Sequence, residues 1–483
     1  MIETRNLPLI VDLDGTLTPT DTLAESLIKV LRLSPFNLLN FVLWLIKGRA
    51  VFKENIAYHS KISVETLPYR KPLLDYLHEE KHKGRQIILA TAAHHSVAES
   101  VAQHLGLFDQ VLATTVSCNL KGSAKLQVIR EKIGNNFVYA GDSQADLPIW
   151  YAARAAILVD VSANTAKMVR QKVPIECEFH RATAGFSVWS RALRIHQWLK
   201  NLLLFVPLLT AFSFLDVANL ITMVVAFLAF SFAASAAYII NDLLDLENDR
   251  LHPRKRLRPF ASAQLPIFGG IIVAITSLLM GLSLAFTVSN SFFLMLMLYL
   301  ALNSLYNLIF KKYVLIDVLM LSFLYTLRIL AGSVAISILT SSWLLAFSTF
   351  MFLSLALVKR CAELVSLEQN DCQATSGRDY RITDQVVLWP LGIGAALSAV
   401  VVFGLFIMSP ETQSRYGASQ VLWLVAFSLV YWLARLWVKT SRGEMHDDPV
   451  IYAIKDHGSR MTVIAMIVFM LLAYFLPLGT YYL

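Results

Sequence analysis

From Trp198 onward, apolar runs of about 20 residues recur, each long enough as a helix to cross a hydrocarbon core of ~30 Å. Nine spans can be read, at about 198–215, 219–240, 266–287, 291–310, 314–336, 342–358, 387–408, 419–438 and 461–479. This part reads as an all-α membrane bundle. Residues 1 to about 185 differ, because short apolar runs alternate there with charged stretches. With 483 residues, 56% of them apolar and only 16% charged, the chain is too long for one domain and too apolar to be soluble throughout. We expect a soluble domain over 1–185 and a membrane domain over 186–483.

A formal net charge of +8 would suit nucleic acid if it formed one patch, but it is spread over alternate loops of the bundle. The loops after the second, fourth, sixth and eighth spans carry Arg250, Arg254, Lys255, Arg256, Arg258, Lys311, Lys312, Lys359, Arg360, Arg378, Arg381, Lys439, Arg442, Lys455 and Arg460. The opposite loops offer little beyond Arg415. The positive-inside rule puts the basic face and the N-terminal domain in the cytoplasm, and an odd number of spans puts the C-terminus across the membrane. The expected setting is a multi-pass protein of the inner membrane, with the bilayer and no nucleic acid as partner. The run Leu7 to Leu13 is too short for a secretory signal and is interrupted by aspartate. Cys118, Cys177, Cys361 and Cys372 form no CxxC pair, so packing is expected rather than zinc or disulfides.

In the soluble part, four apolar runs rich in β-branched residues each end on a polar residue: Leu9 to Asp12, Ile87 to Thr91, Val138 to Asp142 and Ile157 to Asp160. Helical segments separate them, which predicts an α/β fold of parallel strands with ligands beyond the strand carboxyl ends. Asp12, Thr91 and Asp142 should converge there. Asp12 is suited to attack phosphorus and Asp14 to protonate the leaving oxygen. Thr91 can bind a phosphoryl oxygen, Lys125 can neutralise developing charge, and Asp142 and Asp146, with Asp12 and Asp14, can hold Mg²⁺. The bland alternative makes Asp14-Gly15-Thr16 only a turn. His94 and His95 read as solvated helix-start residues. Phe36 to Ile46 is apolar almost all round, yet at 11 residues it is too short to span a bilayer. It is either a buried helix or an interfacial one, laying Phe41, Trp44 and Leu45 on the membrane with Lys47 and Arg49 near headgroups.

The second acidic motif closes a long apolar run: Asn241-Asp242-Leu243-Leu244-Asp245-Leu246-Glu247-Asn248-Asp249. On one continuous helix Asp242, Asp245 and Asp249 share a face, and three carboxylates there repel one another unless cations such as Mg²⁺ intervene. Arg254, Lys255, Arg256 and Arg258 follow at once, so carboxylates for metal stand beside guanidinium groups for phosphate oxygens, a Mg²⁺-diphosphate pattern. A basic loop that merely set topology would leave the carboxylates unexplained. Further along, Asp317 and Arg328 lie on one face of an apolar helix, where a cation needs an anionic partner. Lys311, Arg328, Lys359 and Arg360 are candidates for holding phosphates, followed by Arg194 and Lys200.

Asp12-Leu13-Asp14-Gly15-Thr16, Thr91, Lys125 and Gly141-Asp142-Ser143-Gln144-Ala145-Asp146, in this order at strand ends, closely resemble the haloacid dehalogenase superfamily. The resemblance is to its phosphatase type, and implies a Rossmann-like domain with a small helical cap at about 20–75. Its spacing favours Lys125 over Lys121. The Asn241 to Asp249 element, the nine spans, Tyr306 and Lys311 resemble the UbiA-type prenyltransferase superfamily. Members typically carry a second DxxxD motif for another Mg²⁺, but Asp317-Val318-Leu319-Met320-Leu321 lacks the second carboxylate. Arg194 to Asn201, Lys359-Arg360-Cys361-Ala362-Glu363, Gly377-Arg378-Asp379-Tyr380, and Asp448-Pro449-Val450 with Asp456 look like the branch that contains decaprenyl-phosphate phosphoribosyltransferase. That branch implies 5-phosphoribose transfer from phosphoribosyl diphosphate to a polyprenyl phosphate, with Mg²⁺.

The two parts together suggest that the soluble domain removes the 5-phosphate from the bundle's product. The linker, roughly Glu176 to Ser190, is short. A prenyltransferase acting on an aromatic acceptor is the main alternative. An ion pump with an aspartyl-phosphate is disfavoured because Asp12 precedes every span, and a non-catalytic scaffold leaves the intramembrane charges without a purpose.

Overall fold

Alternation along a strand sends Leu9 and Val11 to one side of a sheet and Ile10 to the other, and all three are fully buried. The structure, a computed structural model, describes residues 7–34, 37–115, 120, 122–180, 185–369, 378–445 and 448–476. Phe36, Cys118, Lys121, Cys372 and Gly377 lie outside these. The strands are β1 (Leu9–Val11), β2 (Ile87–His94), β3 (Gln110–Thr114), β4 (Val138–Gly141), β5 (Ala155–Val159) and β6 (Ile175–Phe179). All pair in parallel, in the order β3-β2-β1-β4-β5-β6. One face packs Leu9, Val11, Leu89 and Val138, and the other Ile10, Ile88, Tyr139 and Trp150. The order reverses at β1 and β4, which opens the crevice where such sheets take ligands.

β3 and β6 are additional to the four strands expected. Glu176 to Phe179, assigned above to the linker, belongs to β6 at the sheet edge. Between β1 and β2 stand α1 (Thr22–Leu33), α2 (Asn37–Ile46) and α3 (Arg49–Ser60), the helical cap. Asp21 starts α1 by accepting hydrogen bonds from the Leu23 and Ala24 amides.

By contact density the chain divides into Met1–Arg194 with Tyr238–Ile275, and Ile195–Ala237 with Thr276–Leu483. The second acidic motif thus groups with the α/β domain. Among the described residues, 8 helices are long and apolar enough to cross a membrane: Val217–Leu244, Ile267–Val288, Asn290–Leu308, Ile316–Ala335, Ser342–Glu368, Ile382–Met408, Ser419–Ser441 and His457–Phe475. The expected first span, 198–215, is not among them. It is a 3₁₀ run, Ile195–Phe205, followed by one short helix, Val206–Thr210, where Pro207 lacks the amide a continuing helix needs. At about 2.0 Å per residue over 11 residues and 1.5 Å over 5, the two pieces of this segment laid end to end would measure roughly 30 Å. Its polar residues find partners: Trp198 Nε1 donates to Ser235 Oγ (2.9 Å) and Asn201 Nδ2 to Ser231 Oγ (3.0 Å). A Cβ at Gly332 would lie 2.1 Å from the Leu204 carbonyl, so only glycine allows helix Ile316–Ala335 this close.

Candidate active sites

The first site gathers at the β1/β4 crevice. Asp12 follows β1, Asp142 follows β4, and Thr91 lies within β2, fully buried. Lys125, on helix Ser123–Lys132, donates to Asp12 Oδ2 (2.7 Å) and to the Tyr139 hydroxyl (3.1 Å). Tyr139 in turn donates to Asp146 (2.8 Å), whose carboxylate also accepts from the Ser143 amide and hydroxyl. Sequence reasoning missed Tyr139. The one available signal was a hydroxyl inside an otherwise apolar strand. Lys53 of the cap was also missed; it lines the cavity of about 320 Å³ together with Asp12, Asp14, His94, Lys125 and Asp142. Thr91 Oγ1 accepts from the Ala93 amide (3.0 Å), which orients the strand end. His94 caps the helix His95–Leu105 by accepting from the Ser96 amide, and His95 reaches Glu99, so both sit at a helix start.

Gly15, at φ 79°, is required here, since a Cβ would lie 2.1 Å from Asp142 Oδ2. Among the described residues, Asp12, Asp142 and Asp146 form the one acidic group whose ligand oxygens all lie within 4.8 Å of one another. Asp14 stands outside that group and accepts from the Thr22 amide at the start of α1 (2.8 Å). Of the four carboxylates expected to hold a metal, three are brought together and Asp14 is turned toward α1. Burial and the neighbouring Asp12 and Asp146 push Asp142 up to about 7. Burial, then the charges of Asp21 and Asp12, push Asp14 up to about 7. Burial also raises Asp12 despite Lys125. For Lys125 burial acts downward, but Asp12 and Asp146 outweigh it and hold the ammonium charged. Three hard oxygen donors with one lysine leave an excess of negative charge, which fits a divalent cation.

The second site departs from the expected continuous helix. Helix Val217–Leu244 ends before Asp245, and a short helix, Leu246–Leu251, follows. Across this turn Asp242 and Asp249 still come together, while Asp245 pairs elsewhere. Asp242 and Asp249, 3% and 2% exposed, are bridged by Arg258, whose Nη1 lies 3.0 Å from one and 2.6 Å from the other. Arg194 also pairs with Asp242 and lies over the Tyr238 ring. Asp245 turns to Arg32 of α1 (3.7 Å). Asn241 is half-buried, Lys255 is half-buried, and Arg254 and Arg256 are exposed. A guanidinium already sits between two buried carboxylates, so this pair fits a cation in charge and donor type.

α1 reaches both sites. Its first amide meets Asp14, while Glu25 takes two hydrogen bonds from Arg250 (2.8 and 2.6 Å) and Lys29 pairs with Glu247 (2.7 Å).

In the Ile195–Ala237 and Thr276–Leu483 unit, Lys359 and Arg360 lie within helix Ser342–Glu368 instead of a loop. Arg360 pairs with both oxygens of Asp317 and with Glu363, and Tyr306 donates to Asp317 (2.7 Å). Asp317 and Arg360 are 0% and 1% exposed. Arg360→Met should lower stability by about 3–5 kcal/mol, because it strands a buried carboxylate. Melting curves in detergent check this, and adding Asp317→Leu should recover part of the loss. Among the described residues Arg328 forms no ion pair. It donates to Asn201, to the Leu324 carbonyl and to Tyr299 (3.1, 2.8 and 2.7 Å), and lies over the rings of Tyr299, Tyr325 and Phe230. Neutral acceptors and aromatic faces hold this cation instead. Lys200 and Lys359 converge on Asp448 (2.7 and 3.1 Å), and Lys311 is half-buried.

Residues 202–442 match the UbiA prenyltransferase family, and residues 9–150 match the haloacid dehalogenase-like hydrolases. The uncharacterized protein y4nM of Sinorhizobium fredii is 37% identical over 461 residues, covering 94% of this chain and 89% of its own. The nodulation protein NoeC of Azorhizobium caulinodans is 34% identical over 286 residues, 59% of this chain and 92% of that protein. Decaprenyl-phosphate phosphoribosyltransferase of Corynebacterium glutamicum is 30% identical over 294 residues, 60% of this chain and 87% of that enzyme. The chain belongs to the UbiA prenyltransferase family. This UbiA-family chain carries a haloacid dehalogenase-like hydrolase domain ahead of its membrane part, so it joins a transferase portion to a phosphatase portion on one multi-pass protein.

Proposed function

We propose that the membrane part transfers 5-phosphoribose from phosphoribosyl diphosphate to a polyprenyl phosphate, and that the hydrolase domain removes the 5-phosphate from that product. The observation that carries the coupling is α1, whose first turn contacts Asp14 and whose later turns are paired to Arg250, Glu247 and Asp245 of the second motif. The similarity to decaprenyl-phosphate phosphoribosyltransferase and the clustered cations Lys200 and Lys359 support the donor and acceptor. Mg²⁺, held by Asp12, Asp142 and Asp146 in one site and by Asp242 and Asp249 in the other, would supply positive charge against phosphate oxygens.

In the transfer, the bond from ribose C1 to the diphosphate breaks and an oxygen of the lipid phosphate bonds to C1. No general base is needed, because that phosphate is already ionised. Arg258, Arg254, Lys255 and Arg256 are assigned to the diphosphate. In the hydrolysis, Asp12 attacks phosphorus, Lys125 balances the phosphoryl charge, and Asp14 gives its proton to the departing sugar oxygen. Water then splits the aspartyl-phosphate to release inorganic phosphate.

Asp14 near 7 serves as an acid below that pH and loses the proton above it, so hydrolysis of alkyl phosphates should fall as pH rises through about 7. Asp14→Asn should slow alkyl phosphates roughly 10²- to 10⁴-fold but barely affect aryl phosphates, whose leaving group needs no proton. Comparing the two substrates across pH checks this. The basic loops favour a cytoplasmic N-terminal domain and, with nine crossings, a C-terminus on the far side of the inner membrane.

A radiolabelled donor distinguishes the readings. Label passing from the ribose ring to lipid supports the transfer, whereas prenyl label passing to an aromatic ring would replace it with the aromatic prenyltransferase reading.

A further inference from the structure

We propose that α2 lies on the bilayer surface and holds the hydrolase cavity at headgroup level; this rests on the reading that its substrate is a lipid-linked phosphomonoester. α2 turns Phe41 inward, 7% exposed, against Val30 and Ile56, and Trp44 stacks on His59. The residues facing out are apolar: Val42, Leu43, Leu45 and Ile46 are 56%, 56%, 52% and 77% exposed, and Leu33 at the end of α1 is 68% exposed. Neither earlier reading of this segment holds whole. The helix is not buried, and Phe41 and Trp44 are not its outer face.

The occupant follows from where the cap is anchored. Helix Val217–Leu244 is a membrane span, and α1 is fixed to the residues directly after it, through Glu25 to Arg250, Lys29 to Glu247 and Arg32 to Asp245. The end of a span lies at the membrane surface, so a cap pinned there brings the exposed apolar side chains of α2 to the lipid. Lys47, exposed directly after α2, adds a cation suited to anionic headgroups. Lipid-linked phosphate would then reach Asp12 without leaving the bilayer.

The test uses the full chain in nanodiscs of phosphatidylethanolamine and phosphatidylglycerol, with native cysteines replaced. Spin labels at Leu43→Cys and Ile46→Cys should be relaxed by oxygen and protected from a water-soluble nickel chelate. A label at Asn164→Cys, on an exposed helix face, should show the opposite. Access of nickel to both α2 labels, or shielding from both relaxants as under a protein partner or second copy, overturns the proposal. Leu43→Glu with Ile46→Glu should leave hydrolysis of a small soluble phosphomonoester unchanged and lower that of the lipid-linked product about tenfold. Equal rates on the lipid substrate also overturn it. If the wild type hydrolyses no phosphomonoester, the phosphatase reading fails, while the spin labels still decide where α2 lies.

Discussion

Asp12→Asn is expected to lower phosphomonoester hydrolysis roughly 10⁴-fold or more, the scale seen when a covalent nucleophile is removed, while transfer of sugar label to lipid stays within about twofold. Asparagine keeps the shape of a side chain that accepts from the Leu13 amide and from Lys125. It removes the negative oxygen that must attack phosphorus and one of the three clustered carboxylates. Colorimetric release of phosphate from a soluble ester, beside a label-transfer assay on the same preparation, reads both halves at once. A variant that still hydrolyses would move the nucleophile away from Asp12.

Asp249→Asn is expected to have the converse effect. The carboxylate is 2% exposed and shares Arg258 with Asp242, so its charge is part of a fixed cluster. Losing it should cost several kcal/mol of stabilisation of the departing diphosphate, on the order of 10³-fold in transfer rate. Hydrolysis of the soluble ester should persist, which shows that the fold is intact. Transfer at the wild-type rate would mean that the motif does not handle the diphosphate.

Runs of local character were legible in the sequence. β1, β2, β4 and β5 were read from their apolar runs, and Asp12, Thr91 and Asp142 from the polar residues at or beside three of them. β6 was missed because Ile-Glu-Cys-Glu-Phe carries two charges, and what makes them tolerable at the sheet edge is pairing of Glu178 with Arg170 and of Glu176 with Arg85, the latter 91 residues earlier in the chain. The spacing of Asp242, Asp245 and Asp249 implied one helix face. Asp245 instead sits at a helix break and meets Arg32, a partner more than two hundred residues earlier that no local period reveals. For Arg328, charge alone does not show that aromatic rings and neutral oxygens surround it.

The central claim is that one chain makes a lipid-linked phosphoribose and then dephosphorylates it. It is tested by the mass of the lipid product from purified protein given phosphoribosyl diphosphate, polyprenyl phosphate and Mg²⁺. Wild type should yield polyprenyl phosphoribose without the 5-phosphate, and Asp12→Asn should accumulate the same lipid one phosphate heavier. Identical masses from the two proteins would contradict the account.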